Sequence, residues 1–315
     1  MAFLLVVPTW PMDVWKTAMI KAAPQLDVRV WPDGVGQPKD IEYAAAWLPP
    51  PNVLKNLPNL KVIFSLGAGV DAILKDPTLP ENIPIVRVND DDLTKRMAEY
   101  IVLHVLLHHR QQRRIYANQK LKIWDSFPTH AASALSVGIM GFGVMGQESA
   151  LRLRDLGFKV AGWSRRRKVM PGVESFAGAA EFDNFLARTD ILISLLPATA
   201  DTDGIINRTT IGKLSRQGPF GAPIIINAGR GRQQVASDIH KCLEAGELYA
   251  ATLDVFAIEP LPSDDPLWSH PRVTITPHIS ADSDPEVICA YVYAQIERHK
   301  AGLPLLNLVD RARGY

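Results

Sequence analysis

Short, nearly unbroken apolar runs recur along the first part of the chain, at Phe3 to Val7, Val28 to Trp31, Ala44 to Leu48, Val62 to Ser65 and Ile85 to Val88. Runs of this length suit strands buried on both faces, the normal condition of a parallel sheet. Helix-like stretches separate them, which predicts a wound α/β sheet. After Asp91 the pattern changes to a long helix through Met97 to Leu107, apolar on most faces, with a basic end at Arg110 to Arg114. Such a helix suits a buried connection between domains. A second strand series follows at Leu135 to Met140, Lys159 to Trp163, Ile191 to Leu195, Ile224 to Asn227, Ala251 to Val255 and Val273 to Thr276. Six strands are what a Rossmann domain requires. The tail is helical again over Glu286 to Lys300, and is expected to return to the first domain.

The expected architecture is therefore α/β, with two Rossmann-like doubly wound parallel-sheet domains and a cleft between them. Residues 1–98 plus 285–315 would form a flavodoxin-like substrate-binding domain, and residues 99–284 a dinucleotide-binding one. A chain of 315 residues agrees with two cores, because single cores stop growing near this size. A net charge of +1 and the lack of a basic stripe argue against nucleic-acid or anionic-membrane partners. Cys242 and Cys289 stand far apart, without metal-ligand spacing, so neither a disulfide framework nor a zinc site is expected. The run Phe3 to Val7 lacks a preceding positive region and stops at Pro8, which reads as a buried strand in a cytoplasmic protein.

The chemistry begins at Gly141-Phe142-Gly143-Val144-Met145-Gly146, directly after an apolar strand and before a helical stretch, Gln147 to Leu156. In that context Gly141 permits a tight turn, Gly143 lets a pyrophosphate approach the backbone, and Gly146 allows close helix-to-strand packing. The next strand runs into Ser164-Arg165-Arg166-Arg167-Lys168, where a site for NAD would place Asp or Glu on the ribose 2′-hydroxyl. Arg165 or Arg166 would instead grip a 2′-phosphate, with Ser164 as a short donor. The expected cofactor is NADP(H), with NAD(H) as the lesser alternative; a solvated basic turn is the competing reading.

Three later strands end in functional residues. Ile224 to Asn227 leads to Ala228-Gly229-Arg230, Ala251 to Val255 leads to Glu259, and Val273 to Thr276 leads to His278. Open α/β sheets place ligands at such carboxyl ends. An arginine fork binds a carboxylate through two bonds. Histidine is the side chain best suited to proton exchange at physiological pH, and a carboxylate on its ring favours the charged form and selects the nitrogen that faces substrate. A cation, a proton donor and a hydride carrier together suit reduction of a small 2-keto acid to its 2-hydroxy acid.

The segments Gly141 to Gly146, Asn227 to Gly231, Leu253 to Phe256 through Glu259-Pro260, and Pro277-His278 resemble the D-isomer-specific 2-hydroxyacid dehydrogenase family over nearly the whole chain. Ser65 to Asp71, Trp47 to Pro50 and Val309 to Tyr315 are similar to the branch that reduces glyoxylate and hydroxypyruvate. The resemblance implies that backbone amides around Ala68 and Gly69 hold the substrate carboxylate and that Asp254 lies by the nicotinamide. It also implies that Leu195, Pro197, Asn227 and Ala228, with Gly229 beside them, line the cofactor cleft, and that the chain forms a homodimer through the cofactor domain. Trp47 reads either as a substrate wall or as core packing.

Other readings stand beside this one. His104, His108 and His109 lie close on a helix but lack the carboxylate of a metalloprotease pattern, so they read as structural or interface histidines, with no metal expected. The same fold serves nicotinamide-sensing regulatory proteins resembling corepressors, and fold alone does not separate the two. An NAD-linked dehydrogenase of other substrate choice is the nearer alternative.

Overall fold

In the computed structural model, which describes residues 1–282 and 284–315, the chain runs β1 (Ala2–Val6), α1 (Met12–Ala22), β2 (Asp27–Val30), β3 (Ile41–Ala46), β4 (Val62–Ser65), α2 (Asp71–Leu74) and β5 (Ile85–Arg87). There follow α3 (Asp91–His109), α4 (Gln112–Leu121), β6 (Ser136–Met140), α5 (Val144–Asp155), β7 (Lys159–Ser164), β8 (Glu174–Ala177), α6 (Phe182–Ala187) and β9 (Ile191–Ser194). The remainder is α7 (Arg208–Lys213), β10 (Ile224–Asn227), α8 (Ala236–Glu244), β11 (Ala250–Leu253), β12 (Val273–Ile275) and α9 (Pro285–Lys300). Two compact units result, Met1–Leu93 with Asp282–Tyr315, and Thr94–Ala281.

The smaller unit is a five-stranded parallel sheet in the order β2-β1-β3-β4-β5, the flavodoxin-like arrangement. Every residue of β1 and β4 is buried, as their unbroken apolar runs require. Alternate residues Leu4, Val6, Ala44, Ala46 and Ile63 form the core on one face. Helix α9 is capped by Asp284, whose carboxylate accepts the Glu286 and Val287 N–H groups, and it packs against α1. The chain after α9 lies along β5, with Val309 N–H donating to the Ile85 carbonyl at 2.9 Å.

The larger unit holds a seven-stranded parallel sheet in the order β12-β11-β10-β9-β6-β7-β8. The order reverses between β6 and β9, the switch point of a Rossmann sheet. Val137, Ile139, Ile191, Ile193, Ile224 and Ile226 point to one core, and Met140, Leu192, Ile225, Ala251 and Leu253 to the other. Hydrophobic side chains thus cover both faces, in keeping with the two-residue period.

Two expectations are corrected. The second sheet has seven strands rather than six, because Glu174–Ala177 pairs with β7 at the sheet edge. Its four residues are two polar ones, Glu174 and Ser175, followed by Phe176 and Ala177, and pairing on one side only leaves no continuous apolar run to read. The basic stretch Arg110 to Arg114 is not the end of one helix: Gln111 takes φ +52°, which closes α3, and α4 starts afresh.

Candidate active site

The glycine motif sits where β6 turns into α5, at the switch point. Gly141 has φ +91°, and a Cβ there would lie 2.4 Å from the Leu195 carbonyl oxygen, so only glycine fits. A Cβ on Gly146 would lie 2.4 Å from the Gly141 carbonyl oxygen, which is how closely the helix abuts its strand. Over Gly143 the space is open, with no atom nearer than 4.0 Å to an added Cβ. Gly143 is also the N-cap of α5, and no side chain caps that end. The first-turn N–H groups of a helix lack intrahelical acceptors and favour an anion. Phe142 is buried, whereas Val144 is exposed and Met145 partly so. Leu195 and Pro197 follow β9, and Leu195 N–H donates to the Met140 carbonyl at 2.8 Å, which ties this loop to the motif.

The basic turn after β7 carries three arginines, Arg165 to Arg167. Arg167 is spent on Glu181 and on the Ser175 carbonyl. Ser164 Oγ donates to the Arg166 carbonyl at 2.7 Å, bracing the turn, while the Arg165 and Arg166 side chains are exposed.

Arg230, Glu259 and His278 follow β10, β11 and β12, three neighbouring parallel strands whose carboxyl ends share one edge. His278 Nδ1 lies 2.8 Å from Glu259 Oε2, and Glu259 Oε1 accepts the Phe256 N–H at 2.8 Å. Burial raises the Glu259 carboxyl, but the hydrogen bonds from His278 and the Phe256 N–H, with the charge of Arg230, outweigh it and hold the group below its ordinary value. An ionised carboxylate only accepts, so the proton between them belongs to Nδ1. Both side chains remain reachable, at 33% exposure for His278 and 37% for Glu259. Arg230 Nη1 donates to the Gly229 carbonyl at 2.9 Å.

Two glutamines behind this edge escaped sequence reasoning. Gln233 is fully buried, takes the Arg230 N–H on Oε1 at 3.3 Å, and donates to the carbonyls of Leu196 and Pro197. Gln234 binds the Asn227 amide at 2.8 Å and the Val255 carbonyl at 2.9 Å. Consecutive glutamines after Arg230 were the available signal, but nothing local tells a buried amide from a solvated one. Asn227 is fully buried and braces the same turn by accepting the Gly229 N–H at 3.1 Å, and Ala228 beside it is buried. Asp254 is fully buried as well, and Thr276 and Tyr100 pack beside it.

The remaining candidates belong to the smaller unit. Ser65 Oγ reaches the carbonyls of Gly67 and Gly69, at 3.0 and 2.8 Å, shaping the loop of Ala68 and Gly69 after β4. Trp47 stacks on Trp10 at 4.8 Å, and a Cβ on Gly67 would lie 2.6 Å from its ring.

His104 lies over the Tyr100 ring at 4.2 Å, and His108 Nε2 meets Thr252 Oγ1 at 2.9 Å. Burial depresses them to about 4 and about 3 from an ordinary 6.5. The unfolded chain therefore takes up protons that the folded chain refuses, so stability is complete above pH 6.5 and is lost as pH falls toward 4 and then 3. We expect urea melts at pH 7.5 and 4.5 to differ by on the order of several kcal/mol, with His108→Gln flattening the slope; a pH-independent midpoint would contradict the assignment.

Residues 102–280 match the sequence profile of the D-isomer specific 2-hydroxyacid dehydrogenase, NAD binding domain. Glyoxylate/hydroxypyruvate reductase A of Yersinia enterocolitica is 41% identical over 313 residues, covering 98% of both chains. The crystal structure of an NADPH-dependent glyoxylate/hydroxypyruvate reductase from Sinorhizobium meliloti, in complex with NADP and sulfate, superposes with a TM-score of 0.95 at 45% identity, covering 100% of this chain and 99% of that one. A probable 2-hydroxyacid dehydrogenase from Rhizobium etli, in complex with NADP, HEPES and L(+)-tartaric acid, gives 0.93 at 41% identity, covering both chains completely.

Proposed function

Because this chain belongs to the D-isomer specific 2-hydroxyacid dehydrogenase family, we propose that it reduces a small 2-keto acid of the glyoxylate and hydroxypyruvate class, with NADPH as reductant. The observation that carries this reading is the His278–Glu259 pair at 2.8 Å on the sheet edge that also bears Arg230. Nicotinamide chemistry supplies the hydride to the carbonyl carbon. His278 gives the proton from Nε2 to the carbonyl oxygen, completing the 2-hydroxy acid, and Glu259 holds the opposite nitrogen and stabilises the imidazolium. Arg230 binds the carboxylate through its fork and fixes which way the carbonyl faces. In the smaller unit, the Ala68 and Gly69 amides are proposed as carboxylate donors and Trp47 as a substrate-contacting wall.

The open backbone at Gly143, the tight turn at Gly141 and the uncapped start of α5 fit a pyrophosphate, with Leu195, Pro197 and Ala228 beside it. Arg165 and Arg166 are proposed to bind the 2′-phosphate, assisted by Ser164. Initial rates with glyoxylate, hydroxypyruvate, pyruvate and phenylpyruvate, each with NADPH and NADH, test the reading. We expect the two smallest polar acids and NADPH to be preferred, and a double substitution of Arg165 and Arg166 by Ala to lower kcat/KM for NADPH by roughly 10- to 100-fold while sparing NADH. A preference for NADH in the unaltered enzyme would remove the cofactor assignment.

We also propose a homodimer formed through the larger unit. Helix α4 has no buried residue, and with the segment after it exposes Tyr116, Leu121, Ile123 and, at 99%, Trp124. Apolar side chains gathered on one arm call for a cover, and a second copy of the chain is the cover proposed. Light scattering should give twice the chain mass, falling to one chain in Trp124→Glu; a monomeric parent protein would exclude it.

A further inference from the structure

His278 has φ +56°, a left-handed conformation that a residue with a side chain rarely adopts unsupported. Its ring can be aimed only if that turn is held, and Glu259 holds the ring rather than the backbone.

The backbone is held by Asp254. Its carbonyl accepts the His278 N–H at 2.9 Å. Its Oδ1 accepts the Thr276 hydroxyl at 2.6 Å and the Ile279 N–H at 3.0 Å, and its Oδ2 accepts the Ser280 N–H at 3.0 Å. Between Thr276 and Ser280 every residue except Pro277, which has no N–H, donates to this one aspartate. A fully buried carboxylate is tolerated only when several donors converge on it, and here they come from the turn itself. Asp254 N–H is in turn anchored on the Asn227 carbonyl at 3.0 Å, which joins the clamp to the strand leading to Arg230.

The direction of the remaining bonds follows from proton counting. Thr276 has one hydroxyl proton and gives it to Asp254, so the Tyr100 hydroxyl, 2.7 Å from Thr276 Oγ1, must be the donor there. Burial pushes the Tyr100 phenol up, which keeps it a donor. A one-way chain thus runs from Tyr100 on α3 through Thr276 to Asp254.

We propose that Asp254, backed by Thr276 and Tyr100, is the positioning device that sets the direction of the His278 imidazole, acting through the turn. The two carboxylates have separate roles, Glu259 selecting the ring nitrogen and Asp254 fixing the backbone from which the ring projects. This rests on the reading of His278 as the proton donor.

The test uses the full-length enzyme. Thr276→Val keeps the side-chain shape and deletes the hydroxyl, Thr276→Ser restores it, and Tyr100→Phe removes the first donor. A misdirected catalytic group costs turnover steeply, so Thr276→Val should lose roughly 10- to 100-fold in kcat. KM for the keto acid and Kd for NADPH, read by nicotinamide fluorescence, should stay within about twofold, because the substitution leaves Arg230 and the glycine motif unaltered. Thr276→Ser should regain most of the turnover, and Tyr100→Phe should lose several-fold. If Thr276→Val does not fold, Tyr100→Phe decides alone, and unchanged turnover there overturns the proposal. A Thr276→Val loss residing in NADPH affinity, or not restored by serine, also overturns it. Normal turnover in Thr276→Val beside an inactive His278→Ala removes this inference only, whereas an active His278→Ala removes the proton-donor reading and the inference with it.

Discussion

Replacement of His278 by alanine is expected to lower kcat by roughly 10²- to 10⁴-fold, the usual worth of a positioned general acid. The imidazole lies at 2.8 Å from Glu259, and an ionised carboxylate has no proton to give in its place. The loss should fall on kcat, with NADPH affinity intact, because the glycine motif after β6 and the histidine after β12 stand at separate points of the sheet. Replacement of Glu259 by glutamine should be milder. The amide still bonds the ring but loses the charge that favours imidazolium. Stopped-flow or steady-state NADPH oxidation with glyoxylate reads both variants, and turnover near that of the parent in His278→Ala would overturn the assignment.

Arg230→Ala is expected to lower kcat/KM by roughly 10²- to 10⁴-fold, because the substrate carboxylate loses two charge-assisted hydrogen bonds at about 1.5–3 kcal/mol each. Arg230→Lys should be intermediate and should act mainly on KM. Lysine keeps a charge but not the fork that fixes the carboxylate plane. The backbone of this residue is already locked by Gln233, so the substitution changes the guanidinium end with little disturbance of the turn. A KM for the keto acid that is unchanged in both variants would place the carboxylate elsewhere.

Most of the sheet was legible because burial on both faces demands unbroken apolar runs, and β1, β4, β9 and β10 are fully buried along their lengths. Strand β8 was not, since an edge strand with Glu174 and Ser175 carries no such run. The break at Gln111 was not legible either, because glutamine has no strong preference for the left-handed conformation that ends α3.

At the site, the residue types and their strand ends could be read, and so could the glycines, whose spacing reflects local clashes such as that of a Gly141 side chain with the Leu195 carbonyl. The engagement of Arg167 could not, for it depends on Glu181 and Ser175 lying across the turn.

The sequence by itself determined which fully buried segments are strands, where a dinucleotide backbone can approach, and which three side chains leave the ends of β10, β11 and β12, because periodicity, glycine geometry and chemical type are properties of short segments. Only the tertiary structure decided which polar groups are spent inside. His278 and Glu259 are presented, whereas Asp254, Asn227, Gln233 and His108 are buried on partners up to 144 residues away in sequence. Whether a polar side chain is held or offered depends on which strands are neighbours, and that is settled when the sheet assembles.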